Sequence, residues 1–252
     1  MKILVIGDNC TDVFIYGRCE RLSPEAPIPV FEPSKTITND GMAGNVVANL
    51  RKLGVEKVEL IANHEQITKT RYVEEKSNQM LLRVDSNDKV RNTFDIKKVD
   101  FDSYDAVVVA DYDKGFLTLK DIQDISERAK LSFIDTKKVI EHNYFENYTF
   151  VKMNEVEWEN CLKHGAVYDE WESKLIVTMS ERGCMYQRKR YSVDNSIEIG
   201  ASIGTSNQYS SIDIGANIGL YSFSIANTYK KYKNTKIYSI EPHPGLFKRL
   251  SF

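Results

Sequence analysis

Two uninterrupted apolar runs constrain this chain more than any other feature. Ile3-Leu4-Val5-Ile6 is closed by Gly7-Asp8, and Ala106-Val107-Val108-Val109-Ala110 is closed by Asp111. A strand with one wet face alternates apolar with polar residues. A run without alternation suits a strand buried on both faces, as in a parallel sheet covered by helices. Open sheets of that kind meet ligands at the carboxyl ends of their strands, so the closing aspartates, and Asp12 just beyond the first, are expected near a site.

The remaining pattern supports βαβ units. Within GMAGNVVANLRKLG (41–54), the helical spacing of Val46, Val47, Leu50 and Leu53 predicts a helix from about Ala43, with Gly54 as its C-terminal cap. Further helices are expected over 118–130 and around 155–162, alternating with short strands at 133–135, 150–152 and 175–178. Segments 13–16 and 28–32 flank the proline-spaced turn Ser23-Pro24-Glu25-Ala26-Pro27 and read as a small sheet outside the main one. Alternation at 70–75 and 80–85 adds two strands. The expected architecture is a doubly wound α/β fold with a small β lid.

Charge excludes some classes of partner. Across 252 residues, 34 Lys and Arg stand against 36 Asp and Glu, for a net charge of −2. No global field favours nucleic acid or an anionic membrane, and a small-molecule substrate fits best. Cys10, Cys19, Cys161 and Cys184 match neither a CxxC pair nor a zinc site, so a reduced intracellular state is the simpler account. No apolar run approaches the ~20 residues that span a bilayer, and Met1-Lys2 leads directly into a strand. A cytoplasmic location is expected.

Several motifs in fixed order carry a family likeness: GDNCTD (7–12), LSPEAPIPV (22–30), GMAGNVVANLRKLG (41–54), TKTRYVEEKSNQMLLRVD (68–85), ADYDKG (110–115), MNEVE (153–157) and VTMSERG (177–183). Over roughly residues 1–190 the chain resembles the PfkB carbohydrate kinases of the ribokinase-like class, closest to their heptose-7-phosphate kinase branch. The resemblance implies ATP-dependent phosphorylation of a sugar or sugar phosphate with magnesium. A kinase of this kind must hold an acceptor hydroxyl in line with the γ-phosphate and neutralise the phosphates.

By that resemblance Asp12 accepts hydrogen bonds from sugar hydroxyls, and Gly41 and Asn45 form the floor of the sugar pocket. Asn154 and Glu157 match an NxxE motif that organises magnesium and phosphate through water, with no direct metal ligand, although alone the pair is an ordinary helix start. Ser180, Glu181 and Gly183 would lie against the nucleotide phosphates, or form a plain turn. Arg71 and Arg83 either hold a phosphate already on the sugar or sit on a solvated strand face. Asp111 and Lys114 are expected near the site without a fixed role.

The family's decisive late GAGD motif, whose aspartate takes the hydroxyl proton, does not occur in the sequence. Gly200-Ala201-Ser202-Ile203 and Gly215-Ala216-Asn217-Ile218 both place isoleucine where that aspartate would stand. The stretch 60–68 is also abbreviated relative to larger members, and impaired turnover is expected.

Beyond residue 191 the βαβ rhythm breaks. SIEIGASIG (196–204) is echoed by SIDIGANIG (211–219), and two copies are too few for a solenoid. Residues 210–250 resemble the start of an FkbM-type S-adenosylmethionine-dependent methyltransferase. Gly215 and Gly219 would admit the cofactor, Asp213 and Asn217 would supply polar contacts, and Glu241 would bind the ribose hydroxyls. The expected organisation is a kinase domain over 1–193, a junction over 194–210 and a methyltransferase fragment over 211–252, too short to complete its sheet. The open alternative is that these residues add to the kinase sheet instead. Three functional readings follow: a sugar kinase, a methyltransferase fragment joined to a kinase remnant, and a non-catalytic sugar-phosphate-binding subunit that forms a homodimer through the lid.

Overall fold

The first apolar run forms β1 (Lys2–Gly7), whose Ile3 and Val5 face one side of the main sheet while Leu4 and Ile6 face the other. These assignments come from a computed structural model, which describes residues 1–139 and 142–191. The junction and methyltransferase segments read from the sequence, with Asp213, Gly215, Asn217, Gly219 and Glu241, lie outside the described residues.

After β1 the chain leaves the main sheet in two long antiparallel strands, β2 (Asn9–Leu22) and β3 (Pro29–Gly41). Helix α1 (Met42–Lys52) returns to the sheet and buries Val46, Val47 and Leu50 against Ile3, Val5 and Val108. Each such side chain contributes about 1.5–3 kcal/mol of transfer free energy. Gly54, at φ +89°, donates to the carbonyl of Arg51 as the expected C-terminal glycine.

Next come β4 (Lys57–Ala62), β5 (Ile67–Glu74) and β6 (Met80–Ser86). The β4 strand was not legible in the sequence, and the connection to β5 is only residues 63–66. The chain then re-enters the main sheet through β7 (Ala106–Asp111), α2 (Leu119–Arg128), β8 (Ser132–Thr136), α3 (His142–Phe145) and β9 (Phe150–Asn154). It continues through α4 (Glu155–Lys163), α5 (Tyr168–Trp171), β10 (Leu175–Thr178), β11 (Cys184–Tyr186) and β12 (Lys189–Tyr191).

The main sheet has the order β12-β11-β10-β9-β8-β7-β1-β4. Its strands from β4 to β10 are parallel, as expected, but β11 and β12 are antiparallel additions at one edge. The cause is local, because a short turn can join only antiparallel strands. The lid is a separate sheet, β3-β2-β5-β6, in which β2 and β5 run parallel. One face of the main sheet is covered by α1; the other packs Leu4, Ile6, Val107 and Val109 with Ile122 and Ile125 of α2, Trp158 and Trp171. Among the described residues no helix is long and apolar enough to cross a membrane.

Candidate active site at the carboxyl edge and the lid

The lid is rooted on the sheet by Asp8, which follows β1. Its carboxylate is buried and accepts from the backbone N–H groups of Tyr112 (2.8 Å), Lys114 (3.2 Å) and Phe116 (3.3 Å). Burial pushes this carboxyl above its ordinary value, and the Lys114 amide pulls against that shift. Asp8 thus shapes the ADYDKG loop from a position more than a hundred residues away, rather than facing a ligand. Next to it, Asn9 accepts from the Gly44 amide at 3.0 Å, and Asn63 accepts from the Asn9 amide at 2.6 Å. Asn9 therefore caps the first turn of α1 from another strand. Neither role was foreseen in the sequence, since both depend on contacts remote along the chain.

The residues expected on the sugar side come together across three elements. Asp12 of β2 pairs with Arg71 of β5, whose guanidinium also lies 5.0 Å from the centroid of the Phe14 ring. Gly41 closes β3 directly against Asp12. A Cβ at this position would sit 2.4 Å from the Asp12 Oδ2 and 2.5 Å from the Cys10 sulfur, so close approach accounts for the glycine. Asn45 lies one turn into α1, part-buried, and its Oδ1 accepts from Asn49 at 3.2 Å.

Arg83 stands opposite Arg71 in register and is held by Asp85 through two bonds of 2.7 and 2.8 Å. Both guanidiniums are thus already neutralised by a carboxylate. Lys114 pairs with Asp88, which also lies 3.8 Å from Lys69 of β5, so the ADYDKG loop is tied to the lid through one acid. Cys10 is buried at the lid root, and burial raises its thiol to about 12, so it stays protonated at neutral pH.

Asp111 closes β7 with its side chain fully buried. It accepts from the Thr136 hydroxyl and from the Lys138 ammonium, each at 2.6 Å. Burial would lower the Lys138 ammonium, but Asp111 and Asp113 outweigh it and hold the pKa above its ordinary value. Asp111 is therefore beside the site, as a tie between the loops after β7 and β8.

Of the residues expected on the nucleotide side, Asn154 and Glu157 form the start of a helix. The Asn154 side chain accepts from the Glu157 amide and the Glu157 carboxylate accepts from the Asn154 amide, both at 2.8 Å, forming a capping box for α4. The second Glu157 oxygen lies 3.3 Å from Lys137, a half-exposed ammonium not among the residues expected at the site. The string Asp135-Thr136-Lys137-Lys138 at the end of β8 carried that signal. Ser180 and Glu181 lie in a single turn, Ser180–Arg182, after β10, and Gly183 follows at φ +86° before β11. That is the geometry of a tight turn. Between β8 and β9, Asp135 and Lys152 form a buried pair at 3.1 Å, and burial raises the aspartate against the pull of the lysine.

Among the described residues no cluster of three His, Cys, Asp or Glu could enclose a metal ion. The donor set at Glu157 is oxygen-only and already engaged by the helix cap. With one oxygen on the cap and the other beside Lys137, Glu157 would suit a hard cation only through water.

Comparison with known proteins agrees on architecture. No protein-family model matches the sequence. The ribokinase of Thermotoga maritima superposes with a TM-score of 0.58 at 11% identity, covering 91% of this chain and 86% of that one. The fold is ribokinase-like. A mutant of phosphofructokinase-2 from Escherichia coli gives the same TM-score, 0.58, over 91% of this chain and 87% of that one, again at 11% identity. In sequence, the chain is 32% identical over 237 residues to the bifunctional protein HldE of Nitratiruptor sp., covering 72% of this chain and 49% of that protein. It is 30% identical over 238 residues to HldE of Helicobacter acinonychis, with 75% and 51% covered. The chain spans about half the length of the curated relatives it matches.

Proposed function

We propose that this chain binds a sugar or sugar phosphate between its lid and α1, and that with ATP and magnesium it serves phosphoryl transfer to a carbohydrate hydroxyl. The observation that carries this reading is the setting of Asp12. A carboxylate lies against a glycine that leaves no room for a Cβ, beside an arginine of the neighbouring strand, and that glycine opens the helix that carries the part-buried Asn45. An acceptor, a donor and a cation at the carboxyl edge of an α/β sheet are what fixing a polyol requires. Similarity to the HldE proteins supports a heptose phosphate as the substrate class. Arg71 and Arg83 would then exchange their carboxylate partners for the phosphate already on the sugar.

On the nucleotide side, Lys137 and the Ser180–Gly183 turn would lie against ATP phosphates, and Glu157 would order the water shell of magnesium. The bound metal would neutralise phosphate charge during transfer. Without a GAGD aspartate in the sequence, turnover is expected to fall by about 10²–10⁴-fold relative to a site with a positioned base.

The domain scheme of a kinase part over 1–193 and a distinct segment over 211–252 is part of this proposal. The S-adenosylmethionine reading of that segment rests on its sequence alone. A homodimer through the lid is supported by the apolar outer face of the lid sheet. There Val13, Ile15 and Tyr72 line up with the exposed Leu82 and Val84 of the edge strand β6.

Calorimetry with a magnesium-ATP analogue and, separately, with S-adenosylmethionine tests the reading. Nucleotide heat that falls in Lys137→Ala is the expected result. Cofactor heat without nucleotide heat would overturn the kinase reading.

A further inference from the structure

We infer that Asn49 is a positioning residue, which fixes the side-chain amide of Asn45 so that Asn45 presents N–H donors beside the acceptor Asp12. This rests on the proposed place of Asn45 in the sugar floor.

Asn49 lies in α1 with 1% of its surface exposed, next to Leu50 and one turn after Val46, both of which pack in the core. A core helix gains nothing from a carboxamide there. Its Oδ1 is buried with no hydrogen-bond partner, a defect that costs about 1–3 kcal/mol, and leucine would fill similar volume without it. Among the described residues, the one side-chain bond Asn49 makes runs from its Nδ2 to the Oδ1 of Asn45, at 3.2 Å. Residues four apart on a helix lie one above the other, so the buried amide is directly behind the part-exposed one.

The surrounding backbone is already pinned. Gly44 donates to Asn9, Ala43 donates to the Asp8 carbonyl at 2.9 Å, and Gly41 fits against Asp12. What these backbone bonds do not set at Asn45 is its side chain, whose terminal amide torsion is intrinsically broad and roughly two-fold. The bond from Asn49 selects one of those two orientations. With Oδ1 occupied, both Asn45 N–H donors are left for a sugar oxygen, complementary to Asp12, which can only accept.

The test uses the full chain with Asn49→Leu, and Asn49→Ala should the leucine not fold. Side-chain amide NMR of the ligand-free protein reads Asn45 directly, its pair of signals identified by their loss in Asn45→Ala. The expected result is that the Asn45 signals move toward averaged values in Asn49→Leu while Tm holds or rises. Binding of a heptose 7-phosphate, by calorimetry, should weaken about 5- to 15-fold, the loss of one fixed hydrogen bond. In an Asn45→Ala background the Asn49 substitution should then have no further effect on binding. Unchanged Asn45 signals, or an equal loss of affinity with Asn45 already removed, would overturn the inference. Should the wild-type chain give no heat with the heptose phosphate while the Asn45 signals still respond, the sugar-floor reading falls and the donor role falls with it, leaving a local side-chain contact.

Discussion

The lid root and the proposed nucleotide edge sit on the same sheet but are built by different means. At the lid root, partners are remote in sequence. Asp8 holds amides of residues 112–116, Asn9 holds the start of α1, and Gly41 exists to admit Asp12. At the nucleotide edge, the decisive bonds are local: Asn154 and Glu157 cap each other across three residues, and the Ser180–Arg182 turn is closed by its own neighbours. The first region is an interlock in which one altered group disturbs several elements. The second is built mainly of local motifs, joined by a few side-chain pairs such as Arg182 with Glu155 and Lys137 with Glu157.

The largest expected contrast is chemical. Cys10 ionises near 12 in the folded chain, against an ordinary value of 9.0, so in the window between them the unfolded state loses its proton first and stability falls as pH rises. At pH 8 its thiolate population is lower by about a thousandfold than that of an unperturbed thiol. Native Cys10 should therefore resist alkylation while the part-exposed Cys19 reacts, with mass spectrometry reading both. Fast labelling of native Cys10 would mean that the lid root is not dry.

Asp8→Ala comes next, since it strands three backbone donors. A loss of about 3–5 kcal/mol in urea melts is expected, and a loss under about 1 kcal/mol would remove the interlock from the account. Gly41→Ala should cost about 1–3 kcal/mol through overpacking, and should weaken sugar-phosphate binding more than nucleotide binding. Asn154→Ala should be the mildest, about 1 kcal/mol for a lost cap, with sugar-phosphate affinity unchanged. If it disturbed the sugar side as well, the two regions would not be independent.

The same contrast decides what could be read from the sequence. Uninterrupted apolar runs announced β1 and β7, and helical spacing with a terminal glycine announced α1, because those signals are local. The NxxE pair was legible both as a motif and as a helix cap, and the structure gives the cap. The roles of Asp8, Asn9 and Lys138 were not legible, because each depends on which loops the fold brings together. The full length of β2 was hidden for another reason: its pairing with β3 is broken by register shifts after Tyr16 and Arg18, which blur the alternation. Strand β4, with several exposed positions at the edge of the main sheet, lacks the continuous apolar run that marked β1.

Calorimetric titration of a heptose 7-phosphate into the wild-type chain and into Asp12→Asn tests the central claim most directly. The substitution keeps the shape beside Gly41 but removes the charge that accepts from hydroxyls and pairs with Arg71. The account predicts saturable binding to the wild-type chain and a loss of at least about tenfold in the variant. Equal affinity in the two chains, or binding to neither, would contradict a sugar site built around Asp12.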